Sequence, residues 1–289
     1  MSDVESPNAE QIRFWNDVGG PTWARLHART EAQLGVFGRL AMDRVGVAEG
    51  ARVLDVGCGA GATTVALGHL VGPAGRVLGV DVSAPLLDIA RQAAAALPQV
   101  TFTQADASAG ALPEGAFDLV FSRFGVMFFA DPTAAFTQLA RALRPGGRLG
   151  FVCWRAAEHN PWITVPLRAV AAHVPVAPSD PEAPGPLAFA DGGRVSRILA
   201  GAGFLDVTLE AHDEPMRIGG AATLDEAVEF LVQIGPAARA LREAPADAVA
   251  RARAALRASL ASHAGPEGVT FQGSVWIVTA RVAGGEESR

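Results

Sequence analysis

The chain has 289 residues and a mass of 29.8 kDa, which suits one α/β domain carrying an added segment. Its net charge of −6 argues against nucleic acid as a substrate, and no apolar run reaches the ~18 residues that would span a membrane. The polar, acidic opening MSDVESPNAEQ is unlike a secretory signal, and two cysteines in a chain this long fit a reducing cytoplasm.

In chain order, Ala9 to about Val45 has helical spacing, with Phe14, Trp15, Trp23, Leu26, Leu34, Phe37 and Leu40 on its apolar side. Gly19-Gly20-Pro21 is expected to break it into two helices. Residues 1–45 then read as a helical lid over a cleft or, equally, as a terminal segment docked on a sheet.

Val53-Leu54-Asp55-Val56-Gly57-Cys58-Gly59-Ala60-Gly61 follows, a buried parallel strand entering a glycine turn that opens a helix over Ala60–Val71. Asp55 interrupts the apolar run near the strand's C-terminal end, where open α/β sheets bind their ligands. Gly57, Gly59 and Gly61 let the backbone turn sharply and approach a ligand closely. A carboxylate followed by three alternate glycines suits a ligand with a ribose and a cationic amino-acid tail, and S-adenosylmethionine has both. A dinucleotide fingerprint can also be drawn through Gly57, Gly59 and Ala62, so the loop alone leaves nicotinamide and flavin cofactors open.

The second strand, Gly75–Asp81, again ends in an acid. Asp81 is placed to accept hydrogen bonds from both ribose hydroxyls, while Ser83 ahead of Pro85 is the expected cap of the next helix. The third strand, Val100–Ala105, ends at Asp106-Ala107. That carboxylate suits an adenine amine and the adjoining amide suits the ring edge; the competing reading of Asp106 is a turn cap. Phe117–Ser122 forms a fourth strand leading into Arg123-Phe124-Gly125-Val126-Met127-Phe128-Phe129. Asp131-Pro132 starts a helix to Leu143, and Arg144-Pro145-Gly146-Gly147 stops it before a fifth strand, Leu149–Trp154.

The ordered motifs VLDVGCGAGATT, LGVDVSAPLLDIAR, the strand-ending Asp106, FDLVFSRFGVMFF and LRPGGRL resemble those of the class I S-adenosylmethionine-dependent methyltransferases. The resemblance covers about Arg52–Trp154 and is nearest to the group containing ubiquinone and menaquinone biosynthesis C-methyltransferases. It implies an α/β fold, a doubly wound, seven-stranded, mostly parallel sheet with the last strand antiparallel beside the fifth. It also implies a cofactor-contacting set of Asp55, Gly57, Cys58, Gly59, Gly61, Asp81, Val82, Asp106, Ala107, Ser122 and Arg123. Val82 would flank the adenine, and Ser122 with Arg123 would line the methionine end. After Trp154 the sequence departs from the quinone enzymes, so their substrate does not carry over.

Residues 46–154 are thus the expected cofactor-binding core. Residues 155–190 read as a cap insertion, with a helix at Trp162–His173 and a Pro-rich loop at Val174–Pro186. Residues 191–214 continue the core: Asp191 caps a helix ending at Gly201-Ala202-Gly203, and a sixth strand covers Phe204–Leu209. Residues 215–265 form a helical cap. There Thr223-x-x-Glu226 is a capping box for a helix through Leu231, and Gly235-Pro236 and Pro245 divide the helical stretch to about His263. Residues 266–289 hold the last strand, Val269–Val282.

The implied reaction is in-line displacement at a sulfonium methyl, on a small and largely apolar acceptor, with oxygen, carbon and nitrogen all open as the methylated atom. A hydroxyl or carbon acid needs a base, for which His27, Glu158, His159 and His173 are candidates. His159, with Glu158 beside it, is preferred because it lies just beyond the fifth strand's C-terminal edge and an imidazole can serve as a general base. Two alternatives stand: a nicotinamide- or flavin-dependent oxidoreductase, and a catalytically silent S-adenosylmethionine-binding regulator. Cys58 and Cys153 read as packing residues, no His, Cys and carboxylate cluster has metal-ligand spacing, and no metal is expected. Neither nucleic acid nor a membrane span is expected as a partner, and a homodimer is compatible with the sequence. High Ala, Gly, Pro and Arg content with no Lys points to a GC-rich bacterial genome.

Overall fold

The computed structural model describes residues 8–109, 112–176 and 180–285. Strands β1 (Arg52–Val56), β2 (Arg76–Asp81), β3 (Val100–Gln104), β4 (Phe117–Arg123), β5 (Leu143–Trp154), β6 (Leu205–Arg217), β7 (Ala264–Gly265) and β8 (Gly268–Arg281) make one sheet. Its order is β3-β2-β1-β4-β5-β8-β6, with two-residue β7 paired to β8 alone. β1 to β5 pair in parallel, and β8 runs antiparallel to both β5 and β6. The expected doubly wound, seven-strand path with its antiparallel strand beside the fifth is therefore present. Strand order reverses between β1 and β4, so the crevice lies at the C-terminal ends of those two strands.

Burial explains the run-like strand sequences. Leu149–Trp154 is buried at all six consecutive positions, which needs helices on both faces of the sheet. Gly150 admits α3 (His27–Val45) closely, since a Cβ there would meet the Val45 side chain.

The N-terminal segment differs from expectation. It forms three helices, α1 (Ala9–Asp17), α2 (Gly19–Arg25) and α3, with breaks at Val18 and Leu26. Gly19 and Gly20 do not end a helix; they begin α2 because nothing larger fits. A Cβ on Gly19 would stand 2.5 Å from the Phe14 ring, and one on Gly20 would stand 2.6 Å from Ser83 Oγ.

α4 (Ala62–Val71), α5 (Ala84–Ala93), α6 (Pro132–Ala142) and α8 (Gly192–Gly201) complete the core, with α7 (Pro161–Ala171) between the last two in sequence. Asp131 and Asp191 cap α6 and α8 through Ala134 N–H and Gly193 N–H. Ser83 holds the N-cap position of α5 in an extended conformation, but its hydroxyl donates to Trp15 O rather than to the helix.

The sixth strand runs eight residues further than its predicted end at Leu209, reaching Arg217 along β8. Its exposed alternate positions and Pro215 hide it in the sequence, and both are tolerated because β6 is the sheet's outer edge.

α9 (Leu224–Leu231) carries the Thr223–Glu226 capping box. α10 (Pro236–Leu241) and α11 (Ala246–Leu260) pack with α7 around Val170, Val174, Ala237, Leu241, Ala248 and Ala252, a small core separate from the main one. Part of the Pro-rich loop, residues 177–179, lies outside the described residues. The remainder returns to the sheet, where Gly185 N–H donates to Met127 O just after β4. Among the described residues no helix is long and apolar enough to cross a membrane.

Candidate active site

At the end of β1, Asp55 is fully buried. Its Oδ2 accepts from Thr64 Oγ1 at 2.7 Å, and Oδ1 is buried with no hydrogen-bond partner among the described residues. Burial pushes its carboxyl up to about 7; the charge of Asp81 adds to this, while Thr64 and Arg123 oppose it. A buried acceptor with an empty side is costly unless a ligand fills it.

The glycine turn then crosses the sheet edge with positive φ at Gly57 (67°), Gly59 (54°) and Gly61 (84°). Gly57 and Gly61 are small for packing reasons: their Cβ atoms would stand 2.7 Å from Gly125 Cα and 2.7 Å from Ala90 Cβ. Gly59 has nothing within 4 Å of that position, so the space beside it is open. Its N–H donates to Asp81 Oδ2 at 2.8 Å, and Ser83 N–H donates to Asp81 Oδ1 at 2.8 Å. Asp81 therefore ties the β1 turn to the β2 turn. Burial raises its carboxyl, opposed by the amides of Ser83, Gly59 and Val82. Cys58 is buried beside them, its thiol pushed well up, which makes it a packing group and a poor nucleophile.

Asp106 Oδ1 accepts from Ser108 N–H (2.9 Å) and Ser108 Oγ (2.6 Å). The turn-capping geometry is thus present at the position proposed for adenine contact, with Ala107 buried next to it. Val82 O accepts from Asn16 Nδ2 at 3.0 Å and Gln104 Nε2 at 3.1 Å.

β4 contributes differently. Ser122 is fully buried and its hydroxyl is engaged on both sides, donating to Val56 O (2.8 Å) and accepting from Gly125 N–H (3.2 Å). It fixes the β4 turn against β1. Arg123 pairs with Glu31 at 2.7 Å and lies in the field of Asp55. Phe124 adopts φ 59°, a rare conformation for an aromatic residue, and its ring stacks on Trp154 at 4.5 Å.

α1 lies over this edge. Asn16 Oδ1 accepts from Ala84 N–H at 3.1 Å while its Nδ2 holds Val82 O, and Asn8 Nδ2 reaches Asp106 Oδ1 at 3.4 Å. Trp15 packs edge-on against Phe128, in the loop after β4, at 5.3 Å.

The structure thus brings Asp55, Gly57, Cys58, Gly59, Gly61, Asp81, Val82, Asp106, Ala107, Ser122 and Arg123 to one edge of the sheet. Glu158 and His159 lie beyond β5, and both are exposed. The buried member of that turn is Asn160, ahead of Pro161. His27 is exposed, with Nδ1 against Ala24 O at 2.8 Å, and His173 is half-buried past the end of α7. Thr64, Gly125 and Asn16 were missed. Thr64 stands in the quoted glycine motif, so its signal was available; the other two show only through long-range partners. A surface depression of about 290 Å³ lined by Glu49, Asp118, Arg144 and Arg148 lies at the opposite edge of the sheet, away from this crevice.

Residues 53–147 match a family model described as a methyltransferase domain. The chain is 32% identical over 197 residues to nocamycin O-methyltransferase of Saccharothrix syringae, spanning 64% of this chain and 70% of that protein. Demethylmenaquinone methyltransferase of Staphylococcus aureus is 33% identical over 123 residues, which is 43% of this chain and only half of the relative. Phosphoethanolamine N-methyltransferase 2 of Haemonchus contortus, solved with S-adenosylmethionine, has a TM-score of 0.58 at 18% identity, covering 97% of this chain and 61% of that one. At that identity the likeness speaks for the fold.

The chain belongs to the class I S-adenosylmethionine-dependent methyltransferases. The cofactor of that family, and so of this chain, is S-adenosylmethionine, and none of these likenesses favours an oxidoreductase. The residues present suit that molecule: a buried carboxylate oxygen without a partner for a cationic end, a second carboxylate on the next strand, and an open glycine between them.

Proposed function

We propose that the protein methylates a hydroxyl oxygen on a small, largely apolar metabolite. The observation that carries this reading is the 197-residue likeness to an enzyme named for O-methylation, which runs well past residues 53–147. The shorter likeness to a quinone-pathway enzyme spans half of that relative and gives less support to carbon methylation.

In this reading Asp81 holds the ribose, Asp106 and Ala107 the adenine, and Asp55 with the Gly57–Gly61 turn the methionine end. Bound S-adenosylmethionine supplies an electrophilic methyl on a sulfonium. The chain's own residues orient the acceptor and exclude water. Positive charge at sulfur is lost as the methyl moves, so a dry, apolar surround is tolerated. Phe124 and Trp154, stacked beyond β4 and β5, are the apolar wall assigned to the acceptor, with Trp162 at 4.7 Å from Trp154 extending it. α1 and α2 act as the lid, and α7, α10 and α11 as the cap. Holding the hydroxyl in line supplies much of the acceleration, on the order of 7–11 kcal/mol in good intramolecular cases.

His159 is assigned as the proton acceptor, with Glu158 its neighbour. Both face solvent, which suits a base that passes the proton outward. The test is turnover with S-adenosylmethionine carrying a ¹³C methyl and a panel of phenols, enols, amines and carbon acids. A methoxy carbon signal in the product supports the reading, and an N- or C-methyl signal overturns the choice of atom. His159→Ala should lower the rate about 10²–10⁴-fold and remove the acidic limb of the pH–rate profile. Retention of both makes His159 a surface residue.

A further inference from the structure

Asp55 sits among Thr64 from α4, Arg123 from β4, Asp81 from β2 and Cys58 from its own loop. Two of these favour its ionised form by different means. Arg123 is already engaged by Glu31, 2.7 Å away, and acts on Asp55 only through its field. Thr64, buried at 0% exposure, makes the one hydrogen bond to the carboxylate among the described residues, and makes it to Oδ2. This bond fixes the rotation of the carboxyl group and leaves Oδ1 as the side with no partner.

We propose that Thr64 is a positioning residue for the cofactor: by engaging Oδ2 it presents Asp55 Oδ1 to the ammonium group of the methionine end, and binding drives a proton from Asp55 into solvent. The inference rests on the reading of Asp55 as the methionine-end contact. The balance is simple. The neutral acid gives up its proton to buffer, the carboxylate remains, and the bound ammonium supplies the charge that burial denied it. Burial holds the free carboxyl near 7, so the neutral form is well populated before cofactor arrives. Thr64 lowers that value, so its loss moves ionisation, and with it binding, to higher pH.

The experiment is calorimetric titration with S-adenosylmethionine in two buffers of different ionisation enthalpy, repeated across pH. A second titration uses 5′-methylthioadenosine, which lacks the amino-acid end. Wild type should release a fraction of a proton per S-adenosylmethionine at pH 6.5, and more than it releases with methylthioadenosine. Thr64→Val should lose about tenfold in S-adenosylmethionine affinity at that pH, shift its affinity–pH curve upward, and bind methylthioadenosine as wild type does. Thr64→Ser should restore both the affinity and the curve. An unchanged curve in Thr64→Val overturns the inference, and so does an equal loss for both ligands, which makes Thr64 a support of α4 alone. Failure of wild type to bind either ligand overturns the reading of the crevice itself, a separate outcome.

Discussion

The sheet edge over β1 and β2 and the turn beyond β5 both bury polar side chains, and they treat them in opposite ways. Asn160, fully buried, gives Nδ2 to the carbonyls of Arg155, Ala156 and Ser274. Its Oδ1 accepts from Trp162 Nε1 at 3.1 Å and Ser274 N–H at 2.9 Å. No capacity is left, and the residue is a rivet between the start of α7 and β8. Asp55, equally buried, keeps one oxygen without a partner among the described residues. At these two residues saturation goes with scaffold and spare capacity with the ligand site, because a buried acceptor left open is costly until something closes it.

Breaking the rivet should have the largest effect. Asn160→Ala strands Ser274 N–H and the Trp162 indole N–H, at about 1–3 kcal/mol each. Denaturant unfolding should show a loss of about 3 kcal/mol or more, with cofactor affinity of the remaining folded protein unchanged. Asp81→Ala should act on binding first. Its loss frees Gly59 N–H and Ser83 N–H and so lowers stability as well, but S-adenosylmethionine affinity of the folded protein should fall tenfold at the least, since charge-assisted bonds of about 1.5–3 kcal/mol each are removed. Equal effects on both quantities in both variants would erase the distinction between the two regions.

A third effect is read from pH. Asp55 is raised from 3.8 to about 7 in the folded chain, and Asp81 is raised as well. Between those values the folded state holds protons that the unfolded state has released. Stability from these groups is therefore complete below the unfolded value and is lost as pH rises through the folded one. Through Asp55 the cofactor-free protein should lose at most about 1.4 kcal/mol per pH unit between the unfolded value and about 7, and Asp55→Asn should flatten that slope. A stability that climbs over this range would contradict the buried, open carboxylate. The smallest effect concerns the acceptor side: Trp162→Phe should alter acceptor KM and leave cofactor affinity within about twofold.

The same contrast governs what could be read from sequence. Asp55, the three glycines and Asp81 are legible because a strand, a turn and a helix lie adjacent in the chain and each choice is local. Asp131, Asp191 and Thr223 were legible as caps for the same reason. Gly19 and Gly20 were misread because their smallness answers to Phe14 and Ser83, contacts set by docking on α5 and not by helix ending. β6 was cut short because its polar outer positions and Pro215 resemble a loop until β8 is known to lie beside it. Asn160 had no signal, since its partner Ser274 is 114 residues away. Phe124 looked like one more apolar residue, and its positive φ belongs to the packed turn.

Hydrogen exchange with and without S-adenosylhomocysteine tests the division between a cofactor edge and an acceptor cap most directly. The account predicts new protection at residues 55–61, 81–84, 106–109 and 123–129 and in α1, with residues 236–260 unchanged. Protection falling on α10 and α11 and sparing the Gly57–Gly61 turn would contradict it.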